Sequence, residues 1–376
     1  MKNKIISYIK SKANKNNIIL NINKDFTEKQ RKVAIVYVHQ NFTQTYENVY
    51  HTQFQESAQI IKYFIDNDYS IDVINCHEEN AIDYLKNIKY DVIFGLGDVF
   101  YEMCLINKNA LKIMYLTENH PEFSYKKEME RIEYFMDRRN KKNRAIDKYV
   151  SRSNVYFKKK HFEVIDKIIT MGNGAYLEKY YTINPTGLVN KEFEFEDENI
   201  SINKKTFLWF GSNGAIHKGL DIVYEIFLKR DDINLIICGL NLKEQKKLRI
   251  KEQKNIKIFN KVEVKSKLFL QICKESCWVL YPSCSEAMST SVLTCMMHGV
   301  IPIVIKENGF DRLEDNAFYL ENYKVEYIEK YISRLILMDD LNIKKIRKKI
   351  FDFSEKKFSI NNFNKNIKAI FEDIGV

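Results

Sequence analysis

Residues 277–305 read CWVLYPSCSEAMSTSVLTCMMHGVIPIVI, and this stretch decides the fold. Cys277–Tyr281 is an apolar run stopped by Pro282. Ser289, Thr290 and Ser291 offer a helix N-cap, and Val292–His298 has the length of a short helix. Gly299 stands where a left-handed residue ends a helix. Val300–Ile305 is a second, β-branched run. Strand, loop, helix and strand make one unit of a parallel α/β sheet. Glu286 is the one carboxylate in this neutral loop. It lies just ahead of a helix start, which favours anions.

The same pattern surrounds this stretch. Thr206–Phe210 is a strand, Gly211–Gly219 (GSNGAIHKG) a glycine-bearing loop and Leu220–Leu228 a helix. Asn234–Cys238 and Ile256–Phe259 are strands, with helices over Leu242–Arg249 and Lys265–Lys274. Ala317–Leu320 reads as a short strand. Glu326–Leu337, Ile343–Phe351 and Asn361–Phe371 read as helices. The first half alternates likewise. Its strands are Lys32–Val38, Tyr69–Cys76, Tyr90–Gly97, Leu111–Leu116 and Val164–Met171. Its helices are Gln55–Asp66, Ala81–Ile88, Val99–Leu105 and the charged Glu128–Arg139, with a turn and short helix over GNGAYLEKYY after Met171. Residues 1–30 read as peripheral. Periodicity fails after Pro185 and Gly187, which marks a domain junction. The expected organisation is α/β: a Rossmann-like domain over 1–188, a second over 189–358, and a C-terminal helix over 359–376.

Composition narrows the class. The chain has 376 residues, of which 45% are hydrophobic and 29% charged, as in a soluble globular protein. The formal net charge is +10. Its basic residues cluster at Lys2–Lys15 and Lys126–His161. No arginine-rich or zinc-finger motif accompanies them, so solvated helix faces are the first reading and no nucleic-acid partner is expected. Ile5, Ile6 and Ile9 share one face of a short basic helix, which suits a membrane surface or a frayed terminus. No signal peptide and no membrane-spanning run is expected. The seven cysteines form no C-x-x-C pair, which fits reduced, buried thiols in a cytosolic setting.

Three constellations carry chemistry. Gly211–Gly219 is either an anion cradle assisted by Lys218 or a tight turn with a solvated lysine. It is not a Walker A loop, because the spacing fails. Glu286 is either a ligand-binding acid or an exposed loop acid. Both lie at strand C-terminal ends, where open α/β sheets bind ligands. Together they suit a ligand that is part sugar, part phosphate. His120, in Thr117–Pro121 (TENHP), is either a cleft histidine that binds a phosphate or hydroxyl or acts as a base, or a locally bonded loop residue. Glu118 and Asn119 stand beside it. His217 reads as a turn residue. Gly95–Phe100 (GLGDVF) lacks the third glycine of a dinucleotide fingerprint, and no metal-ligand spacing occurs.

The sequence resembles the retaining glycosyltransferases of family 4, which have the GT-B fold. FLWFGSNGAIHKGLD is similar to that family's strand, glycine loop and Lys-Gly segment. LYPSCSEAMSTSVLTCMMHGVIPIV is similar to its E-x7-E segment, and KFSINNF to the end of its second domain. The resemblance is strongest from Thr206 to Phe371. It implies two Rossmann-like domains facing across a cleft and a C-terminal helix that returns to the first.

The resemblance also implies an activity: transfer of a hexose from a UDP- or GDP-linked donor, with retention, to a glycan or lipid-linked acceptor. No metal or separate cofactor is implied. Lys218 would hold the donor diphosphate, Glu286 would lie near the donor sugar, and His120 would contact donor or acceptor. Gly211 would let backbone approach the phosphates. Ser212, Asn213, Thr290 and Ser291 would complete the donor site.

There are departures. Thr294 replaces the family's second glutamate, which holds the ribose. Ser212 replaces an arginine. The first-strand loop, HQNFTQTYENVYHT, lacks a glycine pair. The implied setting is bacterial cell-surface polysaccharide assembly, in the cytoplasm or at the inner face of the membrane, with the basic segment meeting anionic lipid. The open alternatives are a non-catalytic glycan-binding or accessory protein of the same fold, or another GT-B enzyme such as a sugar-nucleotide epimerase.

Overall fold

The computed structural model describes residues 17–24, 30–38, 51–139, 156–195 and 202–376. The chain divides into two compact units. The first comprises Met1–Pro121, Asn154–Ile183 and Ile360–Val376; the second comprises Glu122–Ser153 and Asn184–Ser359.

The first unit holds a seven-stranded sheet. Its strands are β1 (Ile18–Ile22), β2 (Lys32–Tyr37), β3 (Ser70–Asn75), β4 (Val92–Gly95), β5 (Leu111–Leu116), β6 (Lys167–Thr170) and β7 (Tyr181–Thr182). The order is β1-β3-β2-β4-β5-β6-β7. Only β1 is antiparallel, pairing with β3. Strands β2 and β4 are buried along almost their whole length, as a sheet covered on both faces requires.

Helices α1 (Thr52–Asp66), α2 (Ala81–Leu85) and α3 (Gly97–Ile106) connect these strands. The final helix of the chain also packs here. It buries Phe363, Ile367 and Phe371, spaced four apart on one face. Phe371 meets Tyr63 and Phe64 of α1, at ring-centroid distances of 4.9 and 5.1 Å, and Phe94 of β4 at 5.6 Å. The Tyr63 hydroxyl donates to the Val376 carbonyl.

The second unit holds a six-stranded, wholly parallel sheet in the order β10-β9-β8-β11-β12-β13. These strands are β8 (Thr206–Phe210), β9 (Asn234–Cys238), β10 (Ile256–Phe259), β11 (Trp278–Tyr281), β12 (Ile301–Val304) and β13 (Phe318–Tyr319). The helices that complete the chain are α4 (Pro121–Arg138), α5 (Leu220–Leu228), α6 (Leu242–Leu248), α7 (Lys267–Glu275), α8 (Thr290–Met296), α9 (Val325–Leu335), α10 (Asp340–Phe358) and the final α11 (Ile360–Ile374). Trp209 and Trp278 are both fully buried in this unit's core.

Two Rossmann-like sheets were expected, and both are present. Three local readings change. Residues 17–24 are not peripheral, because β1 extends the first sheet at its edge. The expected short helix after Met171 does not form: Gly174 and Tyr176 have φ of +76° and +66°, which breaks a helical run. The charged helix begins at Pro121, a residue suited to the first helical turn, rather than at Glu128.

That helix, α4, also groups with the second unit, whereas the sequence reading ran the first domain to residue 188. Its physical reason is a set of polar bonds described below. The amphipathic reading of Ile5, Ile6 and Ile9, the Lys2–Lys15 cluster, most of the first-strand loop and part of the Lys126–His161 cluster lie outside the described residues. All seven cysteines are free and buried, and burial pushes Cys238 and Cys277 each up to about 12.

Candidate functional site

Between Tyr281 and Val300, only Glu286, Thr290 and Ser291 are not buried. The stretch therefore opens to solvent at one carboxylate and two hydroxyls. Glu286 is fixed from three directions. Its Oε1 accepts from the Tyr281 hydroxyl at 3.1 Å. Its N–H donates to the Asn308 carbonyl at 2.8 Å. Gly309 presses against its carbonyl: a Cβ at 309 would lie 1.6 Å from that oxygen, and its φ is +106°. Only glycine fits there. The Ser291 hydroxyl donates to the Phe210 carbonyl at 2.8 Å, which ties α8 to the end of β8. Ser289 does not cap α8 with its side chain.

The glycine loop differs from the expected anion cradle. Glu244 of α6 is buried, and its two oxygens accept the Gly214 and Ala215 N–H groups at 2.9 and 2.7 Å. The Gly211 N–H donates to Cys238 at 3.1 Å. The Lys218 and Gly219 N–H groups donate to the Gly214 and Ile216 carbonyls, so five of the loop's amides are already bonded. Lys218 is buried, and its Nζ donates to the Ser212 hydroxyl at 3.1 Å. The solvated-lysine reading therefore fails. Gly219 has φ +75°, and a Cβ there would lie 2.5 Å from the Pro282 carbonyl, so the two loops touch backbone to backbone. The Cys284 N–H donates to the His217 carbonyl at 2.8 Å.

One face of α4 braces both loops. Ser124, Glu128, Arg131 and Arg138 are spaced 4, 3 and 7 residues apart along it. The Ser124 and Ser285 hydroxyls are bonded at 2.9 Å. Arg131 is fully buried and donates to the Ile216 carbonyl at 3.1 Å and the Pro282 carbonyl at 2.7 Å, one in each loop. Its guanidinium lies 4.4 Å from the Tyr323 ring centroid. Arg138 pairs with Asp221 and Glu225 of α5.

His217, which read as a turn residue, is buried among these groups. Its Nδ1 lies 3.1 Å from Glu128 Oε1, and its Nε2 lies 2.5 Å from the Ser285 carbonyl. With Glu128 ionised, both partners are acceptors, so both nitrogens carry hydrogen and the ring is an imidazolium. Burial alone would lower its pKa; Cys284, Glu128 and Glu286 outweigh that and hold it well above the ordinary histidine range.

Thr294 is buried one turn further along α8. Its hydroxyl donates to the Thr290 carbonyl at 2.7 Å and accepts the Leu188 N–H at 3.1 Å. His298 follows one turn later. Its Nδ1–H donates to the Thr294 carbonyl at 2.7 Å, and its Nε2 accepts the Asn190 N–H at 3.2 Å. Burial lowers its pKa to about 4. These bonds fasten residues 188–190 to α8.

His120 belongs to the first unit and is partly exposed. Its ring contacts Phe162, at a centroid distance of 4.6 Å, and stacks on Tyr176 at 5.6 Å. Asn119 is buried and accepts the Asn173 N–H at 3.1 Å. Within the second unit the structure thus gathers Gly211, Ser212, Lys218, Glu286, Thr290 and Ser291 on two adjoining loops. Glu244, Glu128 and Arg131 were not anticipated. The sequence signal for the last two was a polar stripe along a helix, which reads as a solvated face.

The comparisons bear directly on this arrangement. Residues 190–351 match the family model for glycosyl transferases group 1. The matched residues are similar to a group 1 glycosyl transferase domain and lie within the second unit.

Solved structures extend the likeness over nearly the whole chain. HepE of Anabaena, in complex with UDP and glucose, is 11% identical, with a TM-score of 0.60 over 92% of this chain and 100% of that one. Sucrose-phosphate synthase of Thermosynechococcus elongatus is 10% identical, with a TM-score of 0.62 over 92% and 99%. A glycosyltransferase of Rickettsia africae is 14% identical, with a TM-score of 0.55 over 93% and 99%. At these identities the likeness is one of fold, the GT-B type. No curated protein matches the chain. Among the described residues, no helix is long and apolar enough to cross a membrane.

Proposed function

We propose that this protein is a glycosyl transferase that moves a hexose from a nucleotide diphosphate to an acceptor hydroxyl, with retention of anomeric configuration. The supporting observation is the opening at Glu286, Thr290 and Ser291 in an otherwise buried stretch, beside the buried cation of Lys218. Glu286 takes the hydroxyls of the donor sugar. The departing diphosphate is the main chemical problem, because negative charge grows on it as the glycosidic bond breaks. Lys218 stabilises that charge, in a setting where a preorganised cation acts strongly.

Glu244 already fills the amides of Gly214 and Ala215. The phosphates therefore rely on Lys218, on Ser212 and Asn213, and on the start of α8 at Thr290 and Ser291, where first-turn N–H groups lack intrahelical partners. Gly211 allows close backbone approach. The reaction so drawn uses protein donors in place of a metal. Thr294 has one lone pair left for a ribose hydroxyl, a weaker hold than a carboxylate gives. His120 contacts the acceptor or the donor sugar. The acceptor is a glycan or a lipid-linked sugar, and the basic residues from Lys126 to His161 suit an anionic membrane surface. Bacterial polysaccharide assembly is the proposed setting.

The test is a panel of UDP-, GDP- and other nucleotide sugars, read by calorimetry and by product NMR. UDP-glucose is the first to try, since HepE is described in complex with it. Binding followed by a product with the donor's anomeric configuration supports the reading. Failure to bind any member ends it. A second reading, a non-catalytic glycan-binding protein, draws on the Glu244 carboxylate inside the glycine loop; donor turnover excludes it. Epimerised donor would mark a GT-B epimerase instead.

A further inference from the structure

We propose that Glu128 and His217 are positioning residues for the transfer: a buried carboxylate–imidazolium pair that holds the Ser285–Glu286 peptide where the donor sugar binds. This rests on the reading of Glu286 given above.

The geometry is a relay of three groups. Glu128 Oε1 accepts from His217 Nδ1 at 3.1 Å, and the Ser285 carbonyl accepts from His217 Nε2 at 2.5 Å. The ring therefore bridges helix α4 to the residue immediately before Glu286. Opposite an ionised Glu128, a neutral imidazole could donate to only one of these oxygens and would turn a lone pair on the other. With Glu128 ionised, both bonds are charge-assisted, the stronger kind. The same peptide is braced twice more, by Ser124 on the Ser285 hydroxyl and by Arg131 on the Pro282 carbonyl. Those two contacts carry no charge that depends on His217. The other charged or titratable groups acting on the ring are Cys284 and Glu286 from the opposite loop.

Neutralising Glu128 removes the partner that keeps Nδ1 protonated. The ring that results is neutral and holds Ser285 by an ordinary hydrogen bond in place of a charge-assisted one. The loop loses its charged anchor while Lys218 stays in place. The donor diphosphate site is thus expected to survive and the sugar position to loosen.

The test uses the whole protein and needs no donor. Amide hydrogen exchange is followed by mass spectrometry in wild type and Glu128→Gln, and histidine C2-proton exchange gives the titration of His217. The expected result is at least tenfold faster amide exchange over residues 282–289. Strands β8 and β9 should stay within twofold, and the His217 midpoint should fall. Unchanged exchange at 282–289, or a uniform rise across the second unit, overturns the proposal. If Glu128→Gln does not fold, His217→Gln gives the amide readout, since its side chain can donate to only one of the two oxygens. With a donor that turns over, kcat should drop at least tenfold while donor KM stays within threefold. Absence of any turnover defeats the transferase reading but leaves the exchange result to decide this one.

Discussion

Glu244 closes the glycine loop from inside, its carboxylate accepting the Gly214 N–H at 2.9 Å. With Ala215 as a second donor, the carboxylate holds the turn that brings Lys218 back beside Ser212. Glu244→Ala leaves two buried N–H groups unpaired, each costing about 1–3 kcal/mol. Glu244→Gln keeps one good acceptor and should cost less. Urea unfolding of the three proteins checks the order, and an alanine variant as stable as wild type would remove Glu244 from this role.

Lys218 and Glu286 act on different parts of the donor. Lys218→Ala and Glu286→Ala should each lower kcat/KM at least tenfold, or about 1.4 kcal/mol. Lys218→Ala should also weaken binding of the bare nucleoside diphosphate. Glu286→Ala should leave that binding close to wild type. Steady-state kinetics with calorimetry separates the two, and near-normal activity in both variants would defeat the site assignment.

Thr294 has a packing duty beside any contact with ribose. Thr294→Val removes the acceptor of the Leu188 N–H and should cost about 1–3 kcal/mol of stability. Thr294→Ser keeps both bonds and should be close to neutral. Thermal unfolding reads this directly. A valine variant with unaltered stability would mean that Leu188 finds another partner.

Acid should loosen the attachment of residues 188–190. His298 has a folded pKa of about 4, below the ordinary value of 6.5, because burial disfavours its charge. Between those values the unfolded chain binds the proton and the folded chain does not. The stabilisation is therefore present above pH 6.5 and lost as pH falls towards 4, by about 3 kcal/mol. Protonating Nε2 also breaks the bond from Asn190. Unfolding free energy measured across this window should fall less steeply in His298→Gln than in wild type. Parallel slopes would contradict the assignment.

The parallel sheets were legible because their strands are short apolar runs punctuated by Gly and Pro. Leu111–Leu116, Thr206–Phe210, Asn234–Cys238 and Ile256–Phe259 fall where the residues placed them. Strand β1 was not, because an edge strand is short and half exposed, and Ile18–Ile22 alternates only weakly. The placement of α4 was illegible for a different reason. Its buried face mixes Ile132 and Phe135, packed on Ile216, with polar residues, and Ser124, Glu128, Arg131 and Arg138 look solvated until their partners are known. The same applies to Glu244 and His217. A polar side chain buried by specific bonds has no one-dimensional signature. Glu286 and Lys218 could be singled out because each sits between an apolar strand and a helix, while the occupation of the glycine loop's amides could not.

The first unit closes with α11, where Tyr63 bonds to a carbonyl 313 residues later in the chain. During synthesis, its aromatic cluster around Phe94 and Phe371 stays incomplete until α11 leaves the ribosome. The second unit needs nothing beyond Ser359. It is therefore complete first, reversing the usual N-to-C order of domain folding. Until then the nascent first sheet leaves apolar surface over α1 uncovered, and a chain halted before Phe371 is the form most prone to aggregate.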